Sequence, residues 1–161
     1  MKNENALILE LCKFIDPDKA KIEGLMEQAI NWPYVLGQLL FHRMGGAAYY
    51  VLKECELLGR VNREVRNSLK TVYDSGKAKS ESMKTSLSEL AEILQKADFP
   101  YALLKGAYLV SLYPSGLRTS NDSDVLISQK DISGLESLLK SAGFAQGNIR
   151  NGDSFLPHES R

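Results

Sequence analysis

Two aspartates one residue apart, Asp122 and Asp124, stand in the stretch "GLRTSNDSDVLIS", directly before the apolar run Val125, Leu126 and Ile127. A strand turns successive side chains to opposite faces, so residues two apart point the same way. Extended backbone would therefore place both carboxylates on one face and Ser123 on the other. Carboxylates held side by side repel, and each costs free energy to ionise unless a cation lies close. A hard divalent ion, Mg2+ or Mn2+, removes that cost and takes carboxylate oxygens readily.

Upstream, "LLKGAYL" supplies Lys105 and Gly106 at a strand-to-helix junction. A glycine there allows close backbone approach, and the first amides of a helix favour a phosphate. Lys105 adds positive charge, and Arg118 adds a planar, bidentate phosphate or carboxylate donor just before the acids. A glycine turn, two cations and two metal-binding acids are the parts for phosphoryl or nucleotidyl transfer, in which positioning and charge neutralisation carry most of the catalysis. Alone, D-x-D is as easily a turn or a cap. The ordered set Lys105-Gly106, Tyr113-Pro114, Arg118 and Asp122-x-Asp124, followed by three apolar residues, is much more specific.

The elements that must position these residues follow from periodicity. "FPYALLKG" predicts a strand from Tyr101 to Leu104, "AYLVSLYP" a short helix ended by Pro114, and "SDVLIS" a second strand. "KDISGLESLLKSAGF" predicts an amphipathic helix, capped by Asp131 or Ser128 and closed by Gly143. Before this unit, Val61, Val65, Leu69, Val72, Met83, Leu87, Leu90 and Leu94 recur at three- and four-residue steps. They predict one helix of about 35 residues, about 50 Å long, with two helices broken near Gly76 as the alternative. The first 60 residues read as short helices, with Asp16 ahead of Pro17 and Asn31 as candidate caps, Gly45 and Gly46 as punctuation, and Gly59 as a stop. The fold class is α+β. A helical N-terminal region (1–60) leads through a long connecting helix (61–97) to a small α/β core (98–161).

With these elements in place, "LLKGAYLVSLYPSGLRTSNDSDVLIS" resembles the signature of the uncharacterised nucleotidyltransferase family of the DNA polymerase β-like superfamily: a K-G turn, a Y-P step, an arginine and a D-x-D-x-L strand, in that order. "INWPYVLGQLLFHRMGGAAYYVL" resembles the helical segment that precedes the transferase core in that family. The likeness runs from Ala29 to Phe144 and is strongest from Tyr101. It implies a mixed sheet with helices on one side, Mg2+ (or Mn2+) as cofactor and a nucleoside triphosphate as substrate. By that likeness Gly106 would face the triphosphate, and Asp122 and Asp124 would hold the metal. Lys105 and Arg118 match motif positions, and their charge suggests phosphate binding.

Three departures stand out. The superfamily usually has a G-S or G-G turn where this chain has Lys105-Gly106, and Ser123 replaces an apolar residue. The superfamily also uses a third carboxylate on a later strand, and after Phe144 only Asp153 and Glu159 remain. The core is therefore expected to be incomplete toward its C-terminus, as a fragment of a longer chain or a catalytically impaired relative. In the second case the protein would be a nucleotide-binding or protein-interaction module.

Composition sets outer limits. Positive and negative side chains balance, 20 against 20, which disfavours a broad footprint for duplex nucleic acid. Cys12 and Cys55 are not a disulfide framework and fit a reducing cytoplasm. No apolar stretch reaches the roughly 18 residues of a membrane span. Among other candidates, His42 reads as a surface residue, and His158 as a chain-end residue before a base or ligand. Trp32, Tyr34, Tyr49, Tyr50 and Tyr73 read as packing, and Arg60, Arg63 and Arg66 as a solvated face. Ser111 and Ser115 lack a local His/Asp partner for hydrolase chemistry. The acceptor is open between a small molecule, a protein side chain and an RNA end, and the long helix could carry a protein partner.

Overall fold

The computed structural model describes residues 2–120, 122–145, 149–151 and 154–156. The N-terminal helices are α1 (Lys2–Leu11), α2 (Lys19–Met26), α3 (Trp32–Phe41) and α4 (Gly45–Glu54); α4 and α3 pack on α5 (Arg63–Leu94), and α1 packs on α2, α3 and α4. Each lends one apolar stripe to a common core: Leu7 and Leu11 from α1, Ile22 from α2, Val35 and Leu39 from α3, Ala48, Val51 and Leu52 from α4, Val65 and Leu69 from α5. Three- and four-residue spacing puts each set on one face, and burying those faces together drives the bundle's assembly. Among the described residues no helix is long and apolar enough to cross a membrane.

Local signals begin these helices as the physics requires. The Asn31 side chain accepts from the Tyr34 amide with Pro33 in the first turn, and Asn62 does the same for Val65 at the start of α5. The cap of α2 is Asp18, which accepts from the Lys21 amide, and not Asp16. Asp16 instead has φ +49°, turning the chain ahead of the helix. Gly45 and Gly46 open α4 and do not interrupt it, and Gly59 lies in a short 3-10 turn (Leu58–Arg60) beyond its end. Gly45 is closely packed, since an added Cβ would stand 3.1 Å from Leu40 Cδ2 and that side chain would have to shift by a few tenths of an ångström.

A buried charge ties α1 to α2. Glu10 is 3% exposed and accepts from Lys13 Nζ at 2.8 Å and Lys21 Nζ at 2.6 Å. The Lys13 hydrogen bond, then that of Lys21, holds its carboxyl below the ordinary value of 4.5 against the opposing effect of burial. A depressed carboxylate stabilises the fold fully above its unfolded pKa and loses that contribution as pH falls through the folded value. Thermal unfolding followed by circular dichroism should therefore show wild type losing more stability than Glu10→Gln between about pH 5 and pH 3. The variant should be the less stable of the two at pH 7. Parallel curves for the two proteins would remove Glu10 from the pH response.

The α/β portion is built on the second half of α5. β1 (Tyr101–Leu104) leads into α6 (Lys105–Leu112), β2 (Asp124–Ile127) and α7 (Ile132–Ser141). β1 and β2 pair antiparallel, with Tyr101 opposite Ile127 and Leu104 opposite Asp124. α6 packs on α5, burying Val110 on its own face, and Leu90 and Leu94 are buried on α5. α7 also contacts α5, and Gly143 follows it with φ +91°. Neither Asp131 nor Ser128 makes a side-chain cap bond to α7 or to the turn before it. A second antiparallel pair, β3 (Ile149–Asn151) with β4 (Ser154–Leu156), forms in the stretch rich in turn formers. The α+β class holds, with the described strands in two separate antiparallel pairs.

α5 is continuous through Gly76, so the two-helix alternative does not occur. The glycine has a different reason. The loop after α6 turns at Pro114–Leu117, where Leu117 N donates to Pro114 O at 3.1 Å and Gly116 has φ +90°. That is the third position of a turn, where some turn types demand positive φ. Gly116 lies directly on α5: a Cβ at Gly76 would stand 2.6 Å from the Gly116 carbonyl oxygen. The loop is also tied to the bundle through Phe14, whose ring lies 5.3 Å from that of Tyr113. Helix and loop meet backbone to backbone, and α5 is the bed on which the segment leading to Arg118 rests.

Candidate active site

The ladder fixes the centre of the site. Leu104 is the register partner of Asp124, so the next residue, Lys105, emerges beside that carboxylate. Its Nζ lies 3.2 Å from Asp124 Oδ2. Lys105 has φ +48°, a left-handed conformation that a side-chain-bearing residue adopts at a cost of about 1–3 kcal/mol. The strain turns the chain abruptly from β1 into α6. The first amides of α6 receive no side-chain cap, since the residue ahead of the helix is Leu104.

Gly106 follows, buried at the start of α6. A Cβ there would stand 2.7 Å from Ser120 Cβ, a separation that real side chains do not show. Glycine is required because the segment carrying the acids crosses directly over the turn. Ser120 Oγ lies 2.8 Å from Asp122 Oδ1 and 3.0 Å from Asp122 O. Asp122 is exposed and precedes β2, while Asp124 is the first strand residue and half-buried. The strand begins only at Asp124, so the alternation expected to align the two carboxylates does not extend to Asp122, whose carboxylate instead accepts from Ser120 Oγ.

Arg118 is half-buried, and its Nε is buried without a hydrogen-bond partner. Asp131 Oδ2, at the start of α7, is in the same condition. Asp153, His158 and Glu159 lie outside the described residues. Among the described residues no group of three or more His, Cys, Asp or Glu side chains is placed to hold a metal.

The other candidates take structural places. Tyr49 and Tyr73 pack with ring centroids 5.1 Å apart, Trp32 packs against the bundle core, and Tyr34 donates its hydroxyl to Asn5 Oδ1 at 3.1 Å. Arg60 pairs with Glu23 at 3.3 Å, and Arg66 Nη1 donates to the Leu58 carbonyl. His42 is exposed, edge-on to Phe41. Cys12 and Cys55 are free thiols, both pushed up in pKa chiefly by burial. Sequence reasoning missed Ser120. Its only signal was a small hydroxyl two residues ahead of an aspartate, a common local hydrogen-bonding pattern.

No curated protein and no solved structure matches the chain. A family match covers residues 28–159, taking in α3, α4, the whole of α5, the Lys105-Gly106 turn and both aspartates. With most of its length inside that match, the chain belongs to the uncharacterised nucleotidyltransferase family.

Proposed function

We propose that the protein transfers a nucleoside monophosphate from a nucleoside triphosphate to an acceptor hydroxyl, with Asp122 and Asp124 holding Mg2+ or Mn2+. Family membership implies the nucleotide. The observation that carries the reading is the pairing of the strained Lys105-Gly106 turn with the D-x-D segment, through the β1–β2 register and the Lys105–Asp124 contact. In this arrangement the phosphate-binding and metal-binding halves of such a site are neighbours.

The acceptor oxygen bonds to the α-phosphorus, the bond between that phosphorus and the α–β bridging oxygen breaks, pyrophosphate leaves, and the acceptor's proton passes to solvent. A divalent cation on the two aspartates supplies charge neutralisation for the phosphate oxygens. The first amides of α6 receive no side-chain cap, which suits them to a phosphate, and Gly106 makes room there for the Ser120 segment. Lys105 has a long, flexible and mostly exposed side chain, able to leave Asp124 for a phosphate oxygen. The unpartnered Nε of Arg118 supports a further contact to an anion.

The test is a panel of nucleoside triphosphates, with and without Mg2+, read for binding by calorimetry and for pyrophosphate release. Mg2+-dependent binding with release supports transfer. Mg2+-dependent binding without release on any acceptor class would instead support a nucleotide-binding module, and no binding of any triphosphate overturns the proposal.

A further inference from the structure

We infer that Ser120 is a positioning residue whose hydroxyl holds the carboxylate of Asp122 beside the Lys105-Gly106 turn, so that one hydroxyl orients the metal-binding acid. The inference rests on the nucleotidyl-transfer reading and adds a residue that the D-x-D pattern does not contain.

Three observations converge on Ser120. Its hydroxyl lies 2.8 Å from Asp122 Oδ1 and 3.0 Å from the Asp122 carbonyl. A hydroxyl has one proton, so the two acceptors share it, and the shorter, charge-assisted contact is to the carboxylate. Second, Ser120 is packed against Gly106 so closely that a Cβ on Gly106 would stand 2.7 Å from Ser120 Cβ. The hydroxyl oxygen lies nearer still, 2.3 Å from that position, so it already stands over the turn in the space that Gly106 leaves empty. Third, Asp122 is exposed and lies outside the β ladder, so no backbone register holds it. An exposed carboxylate without a partner samples several rotamers, and each costs binding free energy to select when a ligand arrives. With Oδ1 engaged by Ser120, Oδ2 is left for a cation.

Hydrogen bonds to metal-ligating groups from such neighbours typically contribute about 10–100-fold in affinity or activity. In the full 161-residue chain, Ser120→Ala should weaken Mn2+ binding, read by electron paramagnetic resonance, by about tenfold or more. It should lower kcat for pyrophosphate release by a similar factor, with KM for the nucleotide within about twofold of wild type, because the phosphate-binding turn is untouched. Ser120→Thr, which returns a hydroxyl to the same carbon, should recover most of the Mn2+ affinity. Where Ser120→Ala loses its helical dichroism, Ser120→Cys, similar in shape and a poor donor, should show the same loss of Mn2+ affinity. Wild-type Mn2+ affinity in a folded Ser120→Ala or Ser120→Cys, or a Thr variant as weak as the Ala variant, overturns the role of the hydroxyl while leaving the transferase reading in place. A wild-type chain that binds neither Mn2+ nor nucleotide overturns both.

Discussion

Asp122→Asn/Asp124→Asn is expected to reduce pyrophosphate release by about 10³-fold or more, with the fold intact. Asparagine keeps the shape of aspartate and removes its charge, so the loss reports on electrostatics. Removing one preorganised group that stabilises charge in a transition state commonly costs about 10²–10³-fold, and a bound metal on a phosphoryl oxygen contributes several kcal/mol. The single variants should each approach the double, because two ligands of one ion act as a unit and their effects do not add. Stability should barely move. The ion pair lost at Asp124 joins side chains that are 76% and 39% exposed, and a pair so open to solvent is worth at most about 1 kcal/mol. Nucleotide binding measured with Mg2+ should fall in the same variants, and measured without Mg2+ it should be unchanged or improve as repulsion of the triphosphate is relieved. A double variant that keeps a tenth of wild-type release would place the chemistry elsewhere in the molecule.

The parts of the site that follow from chain order were legible, and the parts that follow from contact were not. Tyr101–Leu104, Asp124–Ile127 and Ile132–Ser141 fall where apolar runs and turn signals put them. The pairing of Lys105 with Asp124 needs the β1–β2 register, which periodicity does not specify. Asp16 and Asp18 are both acceptable caps by residue type, and the choice between them depends on where the buried face of α2 must point, a tertiary matter. Gly106 was legible as a special backbone position, but its cause, the crossing of Ser120, was hidden because Ser120 lies far from Gly106 along the chain and belongs to no regular element. The hairpin at Ile149–Leu156 is short and embedded among turn formers, too brief for any period to register.

Gly76, inside the helix that the sequence predicted as continuous, yields the sharpest stability test, because propensity and packing disagree in sign. In an open helix interior, Gly→Ala stabilises by about 0.5–1 kcal/mol. Gly37, inside α3 with no atom within 4 Å of an added Cβ, should behave that way, and Gly37→Ala should raise Tm by about 1–4 °C. Gly76 has the same helical setting in α5, but its Cβ would meet the Gly116 carbonyl oxygen at 2.6 Å. The obstacle is backbone, so it cannot yield by changing rotamer. The Gly116 turn is also held by a positive φ and by a close approach of its own, an added Cβ standing 3.2 Å from Lys77 N. Forcing helix and loop apart should cost about 1–3 kcal/mol, as overpacking does. Gly76→Ala should therefore lower Tm by several degrees where Gly37→Ala raises it. Activity should fall further than stability, since the displaced loop runs directly into Arg118, Ser120 and Asp122, and a shift of about 1 Å in catalytic groups can cost about 10²-fold. Had α5 been free of that loop, the two substitutions would stabilise alike, and the bed that α5 provides for the active-site segment would not exist.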